Sequence, residues 1–333
     1  MSIPHFEFAR ARTIRDACAQ LAAAHGGAEV VAGGTELLVA MKNGTRAPRL
    51  LVDLAAIPDL DRLVYTPDVG LVVGARITLA RLAEDPHVRT HYLALAEAAR
   101  AVGTPQLQRM GTVAGNLCQD TCCLYVDRSP EQRHSLGPCH KIDGDRCHVV
   151  AESDQCWANY AGDLAPVLLV LGASVVVATR SGEEVRPLAA LFSCEGTKPI
   201  TLAAGEIITA IAVPAPRAAS GVAYLKLRQR DGLDYPLLGV AAAITLGPDG
   251  RCRHARVALT GVERGPIEIP EAASLEGQAP GDEAFAPVAE AAGKRAHPVK
   301  NAFGFGPSYR VRMTRPYVVR ALRAAAARAE GAR

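Results

Sequence analysis

Glu29-Val-Val-Ala-Gly-Gly-Thr-Glu-Leu37 passes from a β-like apolar run, through two glycines, into a helical run that stops at Asn43-Gly44. A strand that ends in glycines and enters a helix exposes backbone N–H groups at the positive end of the helix dipole. That is a setting for an anion such as a diphosphate. Without Cβ atoms, Gly33 and Gly34 let a ligand approach the main chain, and Thr35 can cap the helix. The turn is neither the G-x-G-x-x-G of a dinucleotide-binding unit nor a G-K-[ST] phosphate loop, and alone it is a weak signal that reads first as a plain structural turn. Around it, Ala9 to Ala24 carries Ile14, Ala17, Cys18, Leu21 and Ala22 at helical spacing and stops at His25-Gly26-Gly27, while Leu50 to Leu54 is β-like. A second glycine-bearing segment, Met110-Gly-Thr-Val-Ala-Gly-Asn116, offers Thr112, Asn116 and a bare backbone at Gly115, and could close on the same ligand from the other side.

The chain's nine cysteines are not scattered: Cys118, Cys122, Cys123, Cys139, Cys147 and Cys156 fall between Gly103 and Asp163. From Cys123 onward they read C-x15-C-x7-C-x8-C, amid charged residues, histidines, Gly137, Pro138 and Asp143-Gly144-Asp145. Such a segment has too little apolar surface to order itself, so it needs a covalent or metal staple. Disulfides need an oxidising compartment, and Met1-Ser2-Ile3-Pro4-His5-Phe6 lacks the features of an export signal. Zinc usually takes a close C-x2–4-C pair, which these four do not form. Widely spaced thiolates suit a [4Fe–4S] cube, although cluster spacings vary. Buried free thiols remain the plain reading for Cys18, Cys194 and Cys252, which stand singly elsewhere.

At 333 residues, 49% hydrophobic and 21% charged, the chain is long enough for two or three domains. No apolar run reaches the eighteen residues of a membrane span, and a net charge of +3 with spread basic residues gives nucleic-acid binding no support. The expected location is the cytoplasm. Further along, Gly70 to Arg76 is a strand, Thr78 to Asp85 a short helix, and His91 to Arg100 an alanine-rich helix; His87 and His91 read as solvated. Asp163 begins an apolar helix, as a cap or as a ligand contact. A hairpin lies at 174–186, a short helix at 188–192 and a strand at Ile207–Val213. The Pro- and Ala-rich Pro214–Ser220 is a linker. Beyond it, strands near 224–228, 240–246 and 253–259 and helices at 281–292 and 309–327 predict an antiparallel sheet covered by helices, an α+β arrangement.

The order Val31-Ala-Gly-Gly-Thr-Glu-Leu37, Gly111-Thr-Val-Ala-Gly-Asn-Leu117, Asp163-Leu-Ala-Pro166 and Tyr224-Leu-Lys-Leu-Arg228 resembles the FAD-binding medium subunit of molybdenum hydroxylases, the xanthine dehydrogenase family. The resemblance covers nearly the whole chain. It implies a two-subdomain FAD-binding domain of vanillyl-alcohol-oxidase (PCMH) type over 1–216, followed by a smaller α+β domain over 217–333. An insertion of about forty residues at about 118–158, long enough to signal function, is similar to that of the 4-hydroxybenzoyl-CoA reductase β subunit. There four cysteines hold an extra [4Fe–4S] cluster; the match falls on Cys123, Cys139, Cys147 and Cys156, with Cys122 a neighbouring candidate for the first ligand.

Carried over, Val31, Ala32, Gly33, Gly34, Thr35, Glu36 and Leu37, with Thr112, Val113, Ala114, Gly115 and Asn116, would hold the FAD diphosphate. Val102, Asp163 and Lys226 would lie near the rest of the flavin; Lys226 reads equally as an outward-facing strand lysine. No catalytic residue is implied here. The resemblance implies a large molybdenum-cofactor subunit and a small [2Fe–2S] subunit as partners, in a dimer of heterotrimers, with an external donor such as ferredoxin. Two other readings are a hydroxylase medium subunit passing electrons outward to NAD or a quinone, and a zinc-stapled protein with no redox role.

Overall fold

The computed structural model describes residues 3–230, 232, 234–302 and 304–332. Strand β1 (Glu7–Arg10) occupies the start of what periodicity predicts as helix, and helix α1 (Ile14–Ala23) begins only after Thr13, whose side chain accepts from the Asp16 N–H. Strand β2 (Ala28–Val31), helix α2 (Leu37–Lys42) and strand β3 (Leu50–Asp53) follow, and the three strands pair in parallel in the order β1-β3-β2.

The middle of the chain opens with β4 (Leu63–Thr66) and β5 (Gly70–Gly74) and then five short helices: α3 (Leu79–Glu84), α4 (Pro86–His91), α5 (Leu93–Ala101), α6 (Pro105–Met110) and α7 (Val113–Leu117). The helix expected from His91 to Arg100 is α5 and starts at Leu93, because Tyr92 leaves helical geometry at φ −134°; ahead of it Asp85 and Pro86 start a separate α4 that the sequence reading does not include. Helix α8 (Pro130–Leu136) lies inside the cysteine loop, started by a Ser129–Gln132 capping box. After α9 (Leu164–Val170), strands β6 (Ser174–Thr179), β7 (Gly182–Pro187) and β8 (Ile207–Pro214) join β4 and β5 in an antiparallel sheet of order β4-β5-β8-β6-β7.

The last third places β9 (Ser220–Leu227), β10 (Leu238–Leu246), β11 (Cys252–Thr260) and β12 (Ile267–Glu268) in an antiparallel sheet of order β12-β11-β10-β9, covered by α10 (Asp282–Arg295) and α11 (Pro307–Gly331). Alternate residues of this sheet serve two cores. Tyr224, Ala241 and Ala258 join the core that includes α5 and α9; Ala223, Val240, Ala242, Val257 and Leu259 join the one made with α10 and α11. Both faces are covered, which explains why Val240-Ala-Ala-Ala-Ile244 shows no polar alternation.

Arg310 pins the start of α11. It is buried, and its guanidinium donates to the carbonyls of Leu237 at 2.8 Å, Val299 at 2.7 Å and Gly261. Burial pushes it down to about 10. Arg310→Met removes a desolvated charge but orphans three carbonyls, and unpaired buried acceptors weigh more. A loss of about 3 kcal/mol is expected, read as a lowered urea midpoint at unchanged slope; a wild-type midpoint would contradict the assignment.

Candidate functional site

The two glycine segments meet. A Cβ on Gly33 would fall 2.0 Å from the Met110 carbonyl oxygen and 3.1 Å from the Gly111 Cα, so only glycine allows this approach. Gly34 takes φ +66°, and a Cβ on Gly111 would lie 3.6 Å from the Thr35 hydroxyl. Ala32 and Gly115 are exposed on either side of the junction, and Leu37 is buried beneath it. Thr35 is not the cap of α2: Glu36 holds that position in helical geometry with no capping bond, and its carboxylate accepts instead from the Asp120 N–H at 2.8 Å. The second segment is a turn of helix. Thr112 caps α7 by accepting from the Gly115 N–H at 3.1 Å; Val113 is buried and Ala114 half-buried.

Asn116, not Asp163, serves the start of α9, its side-chain oxygen accepting from the Leu164 N–H at 3.1 Å. Asp163 is itself helical, at φ −72° and ψ −31°, and makes no capping bond. Its carboxylate accepts from the Tyr224 hydroxyl at 2.7 Å and pairs with the Lys226 ammonium at 3.1 Å. Lys226 is therefore not an outward-facing lysine. Both side chains are 4% exposed, and Lys226 also donates to the Ala101 carbonyl at 2.7 Å, one residue from half-buried Val102. Burial raises the Asp163 carboxyl while Lys226 opposes the rise. Removing one partner of such a pair leaves a buried charge without compensation. Lys226→Met should cost about 3–5 kcal/mol, and adding Asp163→Asn should recover part of it; urea unfolding of the two variants tests this, and additive losses would argue against coupling.

Glu36 lies beside an ionic network that periodicity does not reveal. Arg46 bridges Glu29 at 2.6 Å and Asp120 at 3.0 Å, and Lys141 meets Asp120 at 2.6 Å. Burial pushes Glu36 up to about 7 from an ordinary 4.5. Between those values the unfolded chain gives up a proton that the folded chain keeps, so stability falls as pH rises through this window and is level above it. Glu36→Gln should flatten that fall and make the chain relatively more stable at pH 8 than at pH 5; unfolding midpoints at the two pH values decide. A cavity of about 510 Å³ opens behind this network, lined by Arg46, Cys118, Asp120, Lys141, Lys198 and Glu206 among others, and none of the residues expected to contact flavin borders it.

The cysteine loop leaves and rejoins the fold at one antiparallel bridge, where Cys122 and Asn159 exchange backbone hydrogen bonds of 3.0 and 2.9 Å. Beyond it, Cys123, Cys139, Cys147 and Cys156 line a single pocket. Cys123 and Cys139 are buried, and stacked Tyr125 and His148, with ring centroids 4.4 Å apart, form part of its wall. Cys122 is not in that lining and lies near Asp127 and Arg310; Cys118 borders the larger cavity.

Backbone N–H groups serve the pocket's sulfurs: Val150 to Cys147 at 3.4 Å, Tyr125 and Val126 to Cys123, and Ala158 to Cys156. Burial pushes the Cys123 thiol up to about 12 and raises that of Cys156, so their thiolates need a positive centre to compensate them. Among the described residues, no three His, Cys, Asp or Glu side chains converge as ligands of one metal ion. A four-iron cube asks for something else, one sulfur at each of four separated corners, with N–H donors around them. The donor set fits such a group: the four cysteines would hold it, and it would supply one-electron chemistry.

Residues 4–216 match the family model of an FAD binding domain in molybdopterin dehydrogenase, and residues 223–325 that of a CO dehydrogenase flavoprotein C-terminal domain. The chain is 35% identical over 259 residues to the aldehyde oxidoreductase FAD-binding subunit PaoB of Escherichia coli (strain K12), covering 75% of this chain and 79% of that protein. It is 27% identical over 328 residues to the carbon monoxide dehydrogenase medium chain of Afipia carboxidovorans, 98% of each. Against a solved structure of carbon monoxide dehydrogenase from Hydrogenophaga pseudoflava the TM-score is 0.80 at 28% identity, covering 98% of this chain and 99% of that one.

Proposed function

Since the chain belongs to the family of FAD-binding medium subunits of molybdenum hydroxylases, we propose that it is an electron-transfer subunit carrying FAD and an additional [4Fe–4S] cluster, in a reductase of the 4-hydroxybenzoyl-CoA reductase type. The observation that carries the reading is the one pocket that Cys123, Cys139, Cys147 and Cys156 all line, with backbone N–H groups donating to the sulfurs of Cys123, Cys147 and Cys156. The paired turns at Val31–Leu37 and Thr112–Asn116 would hold the FAD diphosphate. Val102 and the Asp163–Lys226 pair would stand near the rest of the flavin.

The flavin handles electron pairs and the cluster single electrons, so this chain needs no general base and no substrate pocket of its own. Its residues bind, orient and insulate. The substrate, an aromatic CoA thioester losing its phenolic hydroxyl, would bind on a large molybdenum-cofactor subunit reached through a small [2Fe–2S] subunit. A donor of low potential such as ferredoxin would supply the electrons. The similarity to a carbon monoxide dehydrogenase medium chain over 98% of the chain favours one second reading, with electrons passing outward to NAD or a quinone.

Protein purified without oxygen should show flavin bands over a broad iron–sulfur shoulder and contain about four irons per chain, as one cubane requires. Cys139→Ser should lose iron and the shoulder while keeping flavin. Flavin without iron in the wild-type chain would sink the cluster, and a colourless zinc protein would sink both cofactors. Co-purification with two further subunits and molybdenum, then assay with a hydroxybenzoyl thioester against an outward acceptor, separates the two directions of flow.

A further inference from the structure

Lys141 lies in the loop between Cys139 and Cys147, and its side chain is only 9% exposed. All three of its N–H donors are engaged, with the Asp120 carboxylate at 2.6 Å, the Thr121 hydroxyl at 2.7 Å and the Gly196 carbonyl at 2.9 Å. The Thr121 hydroxyl also donates to the Gly196 carbonyl, at 2.5 Å. Gly196 in turn is pressed against Cys156: a Cβ there would fall 2.4 Å from the Cys156 carbonyl oxygen and 2.8 Å from its sulfur. One ammonium therefore fastens the start of the cysteine loop, the backbone on which Cys156 rests and, through Asp120, the Glu36 turn.

We propose that Lys141 is the positioning residue of the cysteine pocket: it holds Cys156 in place through Gly196 and sets a permanent positive charge beside the sulfurs. The inference rests on the reading of that pocket as a [4Fe–4S] site. Each electron the cluster accepts adds one negative charge, so a fixed cation nearby favours the reduced form and raises the reduction potential. Asp120 opposes that effect and is already shared with Arg46. The three donors of a compact ammonium match a carboxylate, a hydroxyl and a carbonyl converging from different directions, a geometry that a neutral amide cannot reproduce.

The test uses the full chain, purified without oxygen. Redox titration followed by the electron paramagnetic resonance of the reduced cluster should give a lower midpoint potential in Lys141→Gln, a higher one in Asp120→Asn, and a value close to wild type in Lys141→Arg, with flavin content equal in all four proteins. After iron is removed by chelation, the backbone amides around Cys156 should exchange hydrogen for deuterium several-fold faster in Lys141→Gln than in wild type, as mass spectrometry of that peptide reads it. Shifts of the same sign in Lys141→Gln and Asp120→Asn, or wild-type potential and wild-type exchange around Cys156 in Lys141→Gln, overturn the proposal. A wild-type chain without iron overturns the cluster reading and the charge effect with it, while the hydrogen-exchange rates still decide whether Lys141 positions Cys156.

Discussion

A salt bridge shut away from water joins the two halves of this molecule. Asp163 stands immediately before α9 and Lys226 comes from β9, and the pair is closed by the Tyr224 hydroxyl and the Ala101 carbonyl. Its net contribution to stability is small, because desolvating two charges consumes most of their attraction. What it fixes is register. Only when β9 sits with Tyr224 and Lys226 facing α5 and α9 are both charges satisfied; a slip of one residue would aim Ala223 and Leu225 there and strand Asp163. Asn116 and Tyr160 extend the same arrangement: Asn116 holds the start of α9, and the Tyr160 hydroxyl donates to the carbonyls of Asn116 and Leu117. The second glycine segment is thus located by the element that carries Asp163.

The C-terminal sheet has a consequence for the division of the chain. Its residues alternate between a core shared with α5 and α9 and a core shared with α10 and α11. Pro214 to Ser220 reads as a linker in sequence, yet the strands on either side of it are packed into continuous apolar contact with the first half. A linker joins the two parts covalently; buried methyl groups join them energetically.

Much of this was legible in the residues, for local reasons. Glycines at 33 and 34 mark a turn whose shape is set locally, and a turn stands there, with Gly34 at φ +66°. Thr78 caps its helix as its position suggests. The errors share another cause, since each depends on a distant partner. Glu7 to Arg10 is a strand because Leu50 to Asp53 pairs with it, which no window around Ala9 reveals. Asp163 sits like a cap in sequence, and only the fold brings Tyr224 and Lys226 to its carboxylate. The Glu36–Asp120–Lys141 connection spans more than a hundred residues and left no periodic trace. Two misses had a signal that was present: Thr104-Pro105 before α6, and Ser129-Pro130 with Gln132 before α8, are helix starts of the ordinary kind.

The cysteine excursion departs from Cys122 and returns at Asn159, and those two residues are rung partners. A detour whose two feet share one rung adds no strain to the frame, because the gap it spans is already closed by backbone hydrogen bonds. Such a segment can be gained or lost in a lineage without redrawing the sheets on either side, much as a surface hairpin can be lengthened.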